Sequence, residues 1–214
     1  MERKRVLTVL RTLQNCYPEA KTALNFASPF ELLVATMLSA QSTDRQVNRI
    51  TDHLFRLYRT PGEYAALEPE ELARHIRGVG LYQAKSRNIV AAARLLVEKF
   101  GGKVPGNMED LVQLPGVGRK TANVVLANAF GQPAIAVDTH VFRVANRIGL
   151  ARSKDVRGTE EDLRRCIPRS KWSDAHHWLI YHGRQVCRAR NPRCDECAIE
   201  ELCETGRQTN KTGD

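Results

Sequence analysis

Four cysteines crowd into seventeen residues near one end of this 214-residue chain: Cys187, Cys194, Cys197 and Cys203, spaced C-x6-C-x2-C-x5-C. Four thiolates so close in sequence can converge on one soft metal centre, which makes the segment a metal-stapled loop. The spacing does not choose the metal. It matches neither ferredoxin pattern, and a single C-x2-C flanked by lone cysteines is less usual for zinc than two paired knuckles. Zinc and an iron–sulfur cluster both stay open. Arg188, Arg190 and Arg193 lie between the first two cysteines with no acid among them, so the loop offers a basic surface to a polyanion.

The remaining cysteines, Cys16 and Cys166, lie far from the loop. A secreted disulfide scaffold is usually shorter and richer in cysteine, so thiols in a reducing compartment are expected. Both sit in helical patterns and are expected to be buried. Lysine and arginine number 33 against 24 acidic residues, a net of +9, which favours anionic partners, nucleic acid foremost. The apolar run after the charged N-terminus stops at Arg11, short of a signal-peptide core, and no uncharged run reaches membrane-spanning length. A cytoplasmic protein is expected.

The chain reads as all-α. Ser28-Pro29-Phe30-Glu31 is a capping box opening an apolar helix to Ala40, and Thr43–Gln46 is a second box before a helix with Val47, Ile50, Leu54 and Leu57 on one face. Pro69 starts a short helix that ends before Gly78. Residues 81–100 keep an amphipathic rhythm, and Asn107 caps another short helix. The segment 119–130 is small and apolar on nearly every face, which predicts a buried central helix. Asp138 reads as the cap of 139–148; helices over 159–167 and 172–186 lead into the cysteine loop, and 205–214 reads as a loose polar tail.

Gly78-Val79-Gly80 recurs as Gly116-Val117-Gly118, each between a short helix and a longer one. In the second copy, Leu114-Pro115-Gly116-Val117-Gly118-Arg119-Lys120, the glycines let a backbone approach a ligand, and the helix N-terminus behind them offers N–H groups to an anion such as phosphate. A packing turn is the alternative. Arg119 and Lys120 place two cations where the helix dipole favours acids by roughly 0.3–1 kcal/mol each. Such a broken local rule points to function.

Both cations can hold phosphate; the sharper hypothesis makes Lys120 a nucleophile. A free lysine with a pKa of about 10.4 must be brought to about 7–8, against roughly 3.5–5 kcal/mol. The helix dipole supplies at most about 2 kcal/mol, leaving burial beside 121–129 or the Arg119 charge to provide the rest. Asp138, in Val137-Asp138-Thr139-His140, can stabilise a developing cation or move protons, besides capping its helix.

Taken together, the hairpin Leu114–Ala122, Lys120, the Val137–His140 segment and the four-cysteine loop closely resemble the endonuclease III family of bifunctional DNA glycosylases and abasic-site lyases. Leu24–Phe30, Leu38–Asp44, Gly80–Tyr82 and His176–Gly183 extend the likeness over about residues 5–204. The resemblance implies a six-helix barrel domain over 23–133 containing a helix-hairpin-helix at about 107–130. A second domain would be made of 1–22 and 134–214, with the cluster loop at 187–203. It implies a [4Fe–4S] cluster on Cys187, Cys194, Cys197 and Cys203, with Lys120 and Asp138 catalytic.

By the same likeness Gln41 and Leu81 fill the hole left by an extruded nucleotide, although alone they read as a loop residue and the first core residue of a helix. Gly116, Gly118, Arg119, His140, Arg188, Arg190 and Arg193 would contact DNA, His140 also reading as a packing residue. The implied substrate is double-stranded DNA carrying oxidised pyrimidines or abasic sites, met by a monomer in the cytoplasm, nucleoid-associated in a bacterium. Two rival readings remain: a non-catalytic helix-hairpin-helix DNA-binding protein, and a monofunctional glycosylase using Asp138 and water.

Overall fold

A computed structural model describes residues 2–209, with side chains through 206. The described residues are helical and contain no strand, as the sequence predicts. They divide into two compact units, Ala23–Gln132 and Met1–Thr22 with Pro133–Asp214.

The Ala23–Gln132 unit is built from α2 (Pro29–Ser39) through α8. Ser28 Oγ accepts the Glu31 N–H at 3.2 Å and starts α2, while Glu31 reaches back to the Ala27 N–H at 2.6 Å. Phe30 and Leu32–Leu38 of α2 are buried, so it forms the middle of this core. Thr43 caps α3 (Asp44–Leu57), but the second box does not close. The Gln46 side-chain amide donates to the Gly78 carbonyl instead. Leu57 also departs from expectation: it is exposed, and Thr51 joins Val47 and Leu54 inside.

A further capping box, Thr60 with Glu63, opens the five-residue α4 (Pro61–Ala65), which the sequence reading missed. Next come α5 (Pro69–His75), α6 (Tyr82–Phe100), α7 (Met108–Leu111) and α8 (Arg119–Phe130). α6 packs on α4 and α5, and α8 packs on α2. Only Ala122, Asn123, Val125 and Leu126 of α8 are buried, so it is a half-buried helix rather than the fully enclosed one expected.

The other unit joins α1 (Arg3–Cys16) to α9 (Thr139–Ile148), α10 (Val156–Cys166), α11 (Trp172–Gln185) and α12 (Glu204–Thr209). Val6, Val9, Leu10 and Leu13 turn inward toward Val141, Val144, Ile148, Leu163, Trp178 and Leu179. The next inward position falls on Tyr17, leaving Cys16 exposed, contrary to expectation. Cys166 is only half-buried; its Sγ donates to the Leu150 carbonyl at 3.3 Å, and burial pushes its thiol up to about 11. α10 starts at Val156, earlier than the sequence suggests, because Asp155 Oδ1 accepts the Gly158 N–H. The expected tail is helical over 204–209, with Gly206 buried; its last five residues, 210–214, lie outside the described range.

Candidate active site and cysteine loop

Asn107 Oδ1 accepts the Asp110 N–H at 2.9 Å and opens α7; the Val117 N–H then closes the following turn on the Leu114 carbonyl at 3.0 Å. Gly116 has φ +77°, and a Cβ there would stand 2.8 Å from Asn88 Cβ on α6, so the turn demands glycine twice over. Gly118 differs. It is the N-cap of α8, no side chain caps it, and a Cβ there would meet nothing within 4 Å. The start of α8 thus has no side-chain cap, and the space beside Gly118 is open.

Arg119 and Lys120 occupy the first turn and are exposed. The burial expected for Lys120 beside the helix is absent, because its side chain lies off the inward face of α8. One turn on, Asn123 is 4% exposed, and its Nδ2 has no hydrogen-bond partner.

The earlier glycine turn closes the same way, with the Val79 N–H donating to the Ile76 carbonyl at 3.1 Å. Its helix begins one residue later. Leu81 is the N-cap of α6 with φ +56° and ψ 30°, a left-handed conformation costing a non-glycine residue roughly 1–2 kcal/mol. Its side chain is 61% exposed, which excludes the core reading. Gln41 is also exposed and also has φ +56°.

Asp138 belongs to the other unit. Its Oδ1 accepts the Val141 N–H at 2.8 Å as the N-cap of α9. The preceding Ala134–Val137 segment is buried, and His176 Nδ1 lies 2.8 Å from the Ala136 carbonyl, which fixes the approach to Asp138. His140 is half-buried, with Nδ1 3.3 Å from Arg143 Nη2. Opposite it, Gly183 lets α11 come close: a Cβ there would lie 3.2 Å from His140 Cβ and 3.0 Å from Val144 Cγ2. His140 is thus part of the α9–α11 packing.

The four loop cysteines are unpaired and line one cavity of about 30 Å³ together with Arg147, Ile148, His182 and Ile199. Burial pushes the Cys197 thiol up to about 11, aided by repulsion from Cys203, Cys187 and Cys194 and opposed by a hydrogen bond from the Ile199 backbone. Cys194 is also raised, first by burial and then by Cys187 and Cys203. Thiolates that repel one another need a shared cationic group to hold them. Among the described residues, no three His, Cys, Asp or Glu side chains are gathered to hold a metal ion.

Tyr17 and His182 complete the surround. Burial lowers His182 to about 4, so it is neutral near pH 7, and it raises Tyr17 to about 12. Tyr17 Oη lies 3.1 Å from His182 Nδ1. With Tyr17 as donor, the ring proton falls on Nε2, 3.6 Å from Cys197 Sγ.

The loop backbone is held from α9. Arg143 donates to the carbonyls of Gly183, at 2.9 Å, and Cys187; Arg147 donates to those of Arg188, at 2.6 Å, and Ala189, at 3.1 Å. Arg188 and Arg190 are exposed. Arg193 is paired with Glu196 at 3.2 Å, an acid just beyond the stretch that reads as purely basic.

Residues 34–169 match the model of the HhH-GPD superfamily base excision DNA repair proteins. Endonuclease III of Bacillus subtilis strain 168 is 47% identical over 98% of this chain and 96% of its own length. The belonging is settled by this match. The chain is a member of the endonuclease III family. Endonuclease III of Escherichia coli K12 is 49% identical over 95% of this chain and 97% of its own. A solved structure of a trapped endonuclease III–DNA covalent intermediate matches with a TM-score of 0.92 at 45% identity, covering 98% of this chain and 99% of that one. Membership of the endonuclease III family makes the chain an enzyme of base excision repair, a DNA glycosylase with abasic-site lyase activity.

Sequence reasoning missed Arg143, Arg147, Tyr17 and His182 around the cysteine loop, and Lys85 beneath the Leu81 turn. The Arg143–Arg147 spacing, one helical turn in α9, was a usable signal. Tyr17 and His182, 165 residues apart, gave none.

Proposed function

We propose that the chain removes oxidised pyrimidines from duplex DNA and cleaves the resulting abasic sites through a Schiff base on Lys120. The observation that carries this reading is an exposed lysine in the first turn of α8, which has no side-chain cap, directly behind a glycine hairpin with open space beside Gly118. The hairpin N–H groups and Arg119 bind phosphate and set the register of the strand without reading sequence. Extrusion of the damaged nucleotide takes a few kcal/mol, least for a poorly stacked base, and Gln41 and Leu81 occupy the hole.

The neutral Lys120 amine then attacks C1′, and the base departs with the glycosidic electron pair. Loss of the amine proton and opening of the sugar ring leave an iminium that acidifies C2′. Removal of a C2′ proton expels the 3′ phosphate with its bonding pair, and water releases the lysine. Asp138 stabilises the positive sugar and assists these proton transfers. Borohydride added to enzyme and abasic duplex should trap a covalent adduct that Lys120→Ala abolishes; equal trapping by the variant would sink the assignment.

Cys187, Cys194, Cys197 and Cys203 would hold a [4Fe–4S] cluster, whose contribution when bound is a rigid cross-link of the loop. A single zinc with Zn–S bonds of about 2.3 Å would draw four sulfurs to within about 3.8 Å of each other, whereas the four thiols line one cavity without any three being gathered for a single ion among the described residues. The Arg147 Nη1 3.6 Å from Cys187 Sγ and the His182 Nε2–H suit thiolate ligands. Iron with stoichiometric acid-labile sulfide is expected; zinc without sulfide would overturn the cluster. The exposed Arg188 and Arg190 contact phosphates. The enzyme acts as a monomer on double-stranded DNA in the cytoplasm; among the described residues no helix is long and apolar enough to cross a membrane.

A further inference from the structure

Lys85 lies in the first turns of α6 and is 6% exposed, a cation placed among core residues. Its Nζ donates to the carbonyls of Leu38 at 2.7 Å and Ala40 at 2.5 Å. These carbonyls finish α2, where the last C=O groups lack intrahelical partners and the helix dipole favours a positive charge. The Ala40 carbonyl belongs to the peptide that leads into Gln41. The backbone N–H of Lys85 donates to the Leu81 carbonyl at 3.0 Å. The side chain therefore grips the carbonyl just before one left-handed residue, while the backbone of the same residue makes the first helical bond of α6, to the carbonyl of the other.

Three further contacts join the same two turns. The Gly80 N–H donates to Ser42 Oγ at 3.2 Å, the Gln46 amide donates to the Gly78 carbonyl, and a Cβ on Gly80 would stand only 3.3 Å from the Gln41 carbonyl. Left-handed non-glycine residues persist only where their surroundings over-determine them. A buried ammonium is a costly way to fill core space, and burial holds this amine below the ordinary lysine value. An apolar side chain would fill the volume without that penalty, yet it could not satisfy two carbonyls.

We propose that Lys85 is a positioning residue that locks the Gln41 and Leu81 turns into one rigid two-pronged face, so that both side chains enter an opened duplex together. The inference rests on the reading that Gln41 and Leu81 fill the space of the extruded nucleotide. It assigns Lys85 no contact with DNA.

The test uses the holoenzyme and a duplex carrying a tetrahydrofuran abasic analogue opposite 2-aminopurine, whose fluorescence rises as the stack opens. Lys85→Met keeps the length of the side chain and removes its donors. It should slow the fluorescence rise roughly tenfold to a hundredfold, the range expected when a reacting array is misplaced by about 1 Å. Affinity for undamaged duplex and its salt dependence should stay at parent values. Ser42→Ala loosens the same junction from its other side and should also slow opening, which decides the matter should Lys85→Met fail to fold. Opening at the parent rate, with only a lower melting temperature, would reduce Lys85 to a helix cap and overturn the proposal. Gln41→Ala and Leu81→Ala separate the two levels. Parental opening in both would sink the wedge reading and this inference with it, whereas slow opening in both beside parental opening in Lys85→Met would sink the inference alone.

Discussion

The Gly78–Leu81 and Gly116–Lys120 turns share a Gly-Val-Gly string and the same closing hydrogen bond, yet they present opposite things. In the second turn the strain falls on Gly116, the residue built to bear it, and α8 starts at once, with no side-chain cap and open space beside Gly118. In the first turn the helix begins one residue later and the positive φ falls on Leu81, whose apolar side chain is pushed outward. A shift of one residue in where a helix begins turns an anion cradle into an apolar prong. Chemistry at a turn is thus decided by which residue carries the left-handed backbone, more than by the string of residues.

Substitutions at the two turns can break or sharpen this contrast. The largest effect is expected at Gly116→Ala, where both φ and the 2.8 Å approach of Asn88 are violated; chemical denaturation should show a loss of about 2–4 kcal/mol. Gly118→Ala meets no atom and has an ordinary φ, so its stability should stay within about 0.5 kcal/mol while binding to duplex weakens. Equal destabilisation of the two would erase the distinction drawn between the glycines.

Leu81→Asn should go the other way, raising stability by about 0.5–1 kcal/mol in a denaturant titration, because asparagine tolerates the left-handed region. The same variant should lose preference for lesion-bearing over intact duplex. The smallest effects belong to single phosphate contacts. Arg188→Ala and Arg190→Ala should each lower the slope of log affinity against log salt by about 1, whereas Arg193→Ala, already paired with Glu196, should change it less.

Local signals were well recorded in the sequence. Ser28, Thr43, Asn107 and Asp138 all cap the helices they announce, because a cap is a contact across three residues. The Thr60–Glu63 box is equally legible, although its helix of five residues is too short to show a period. Gln46 shows the limit of such signals: the motif proposes that its side chain accept from the Thr43 N–H, yet it donates instead to the carbonyl of Gly78, 32 residues away. Lys85 is the clearest case of something unreadable, since its partners lie 45 and 47 residues distant and a lysine on an amphipathic helix reads as a solvated charge. Cys16 misled for the opposite reason, because the inward stripe of α1 passes from Leu13 to Tyr17 and skips it. At the candidate site the residue types were visible in sequence, while the exposure of Lys120 and Leu81 emerged only once their helices had partners.

The two units also differ in continuity. Ala23–Gln132 is a single stretch of chain, whereas the other unit unites α1 with residues from Pro133 onward. At about 5–20 residues per second, a ribosome that has finished α1 needs roughly 8–35 seconds to deliver α11, the helix against which α1 packs. The uninterrupted unit can mature during translation; α1 must wait with Val6, Val9, Leu10 and Leu13 unsheltered. During that interval α1 offers a holding chaperone the apolar stripe that its own unit later covers.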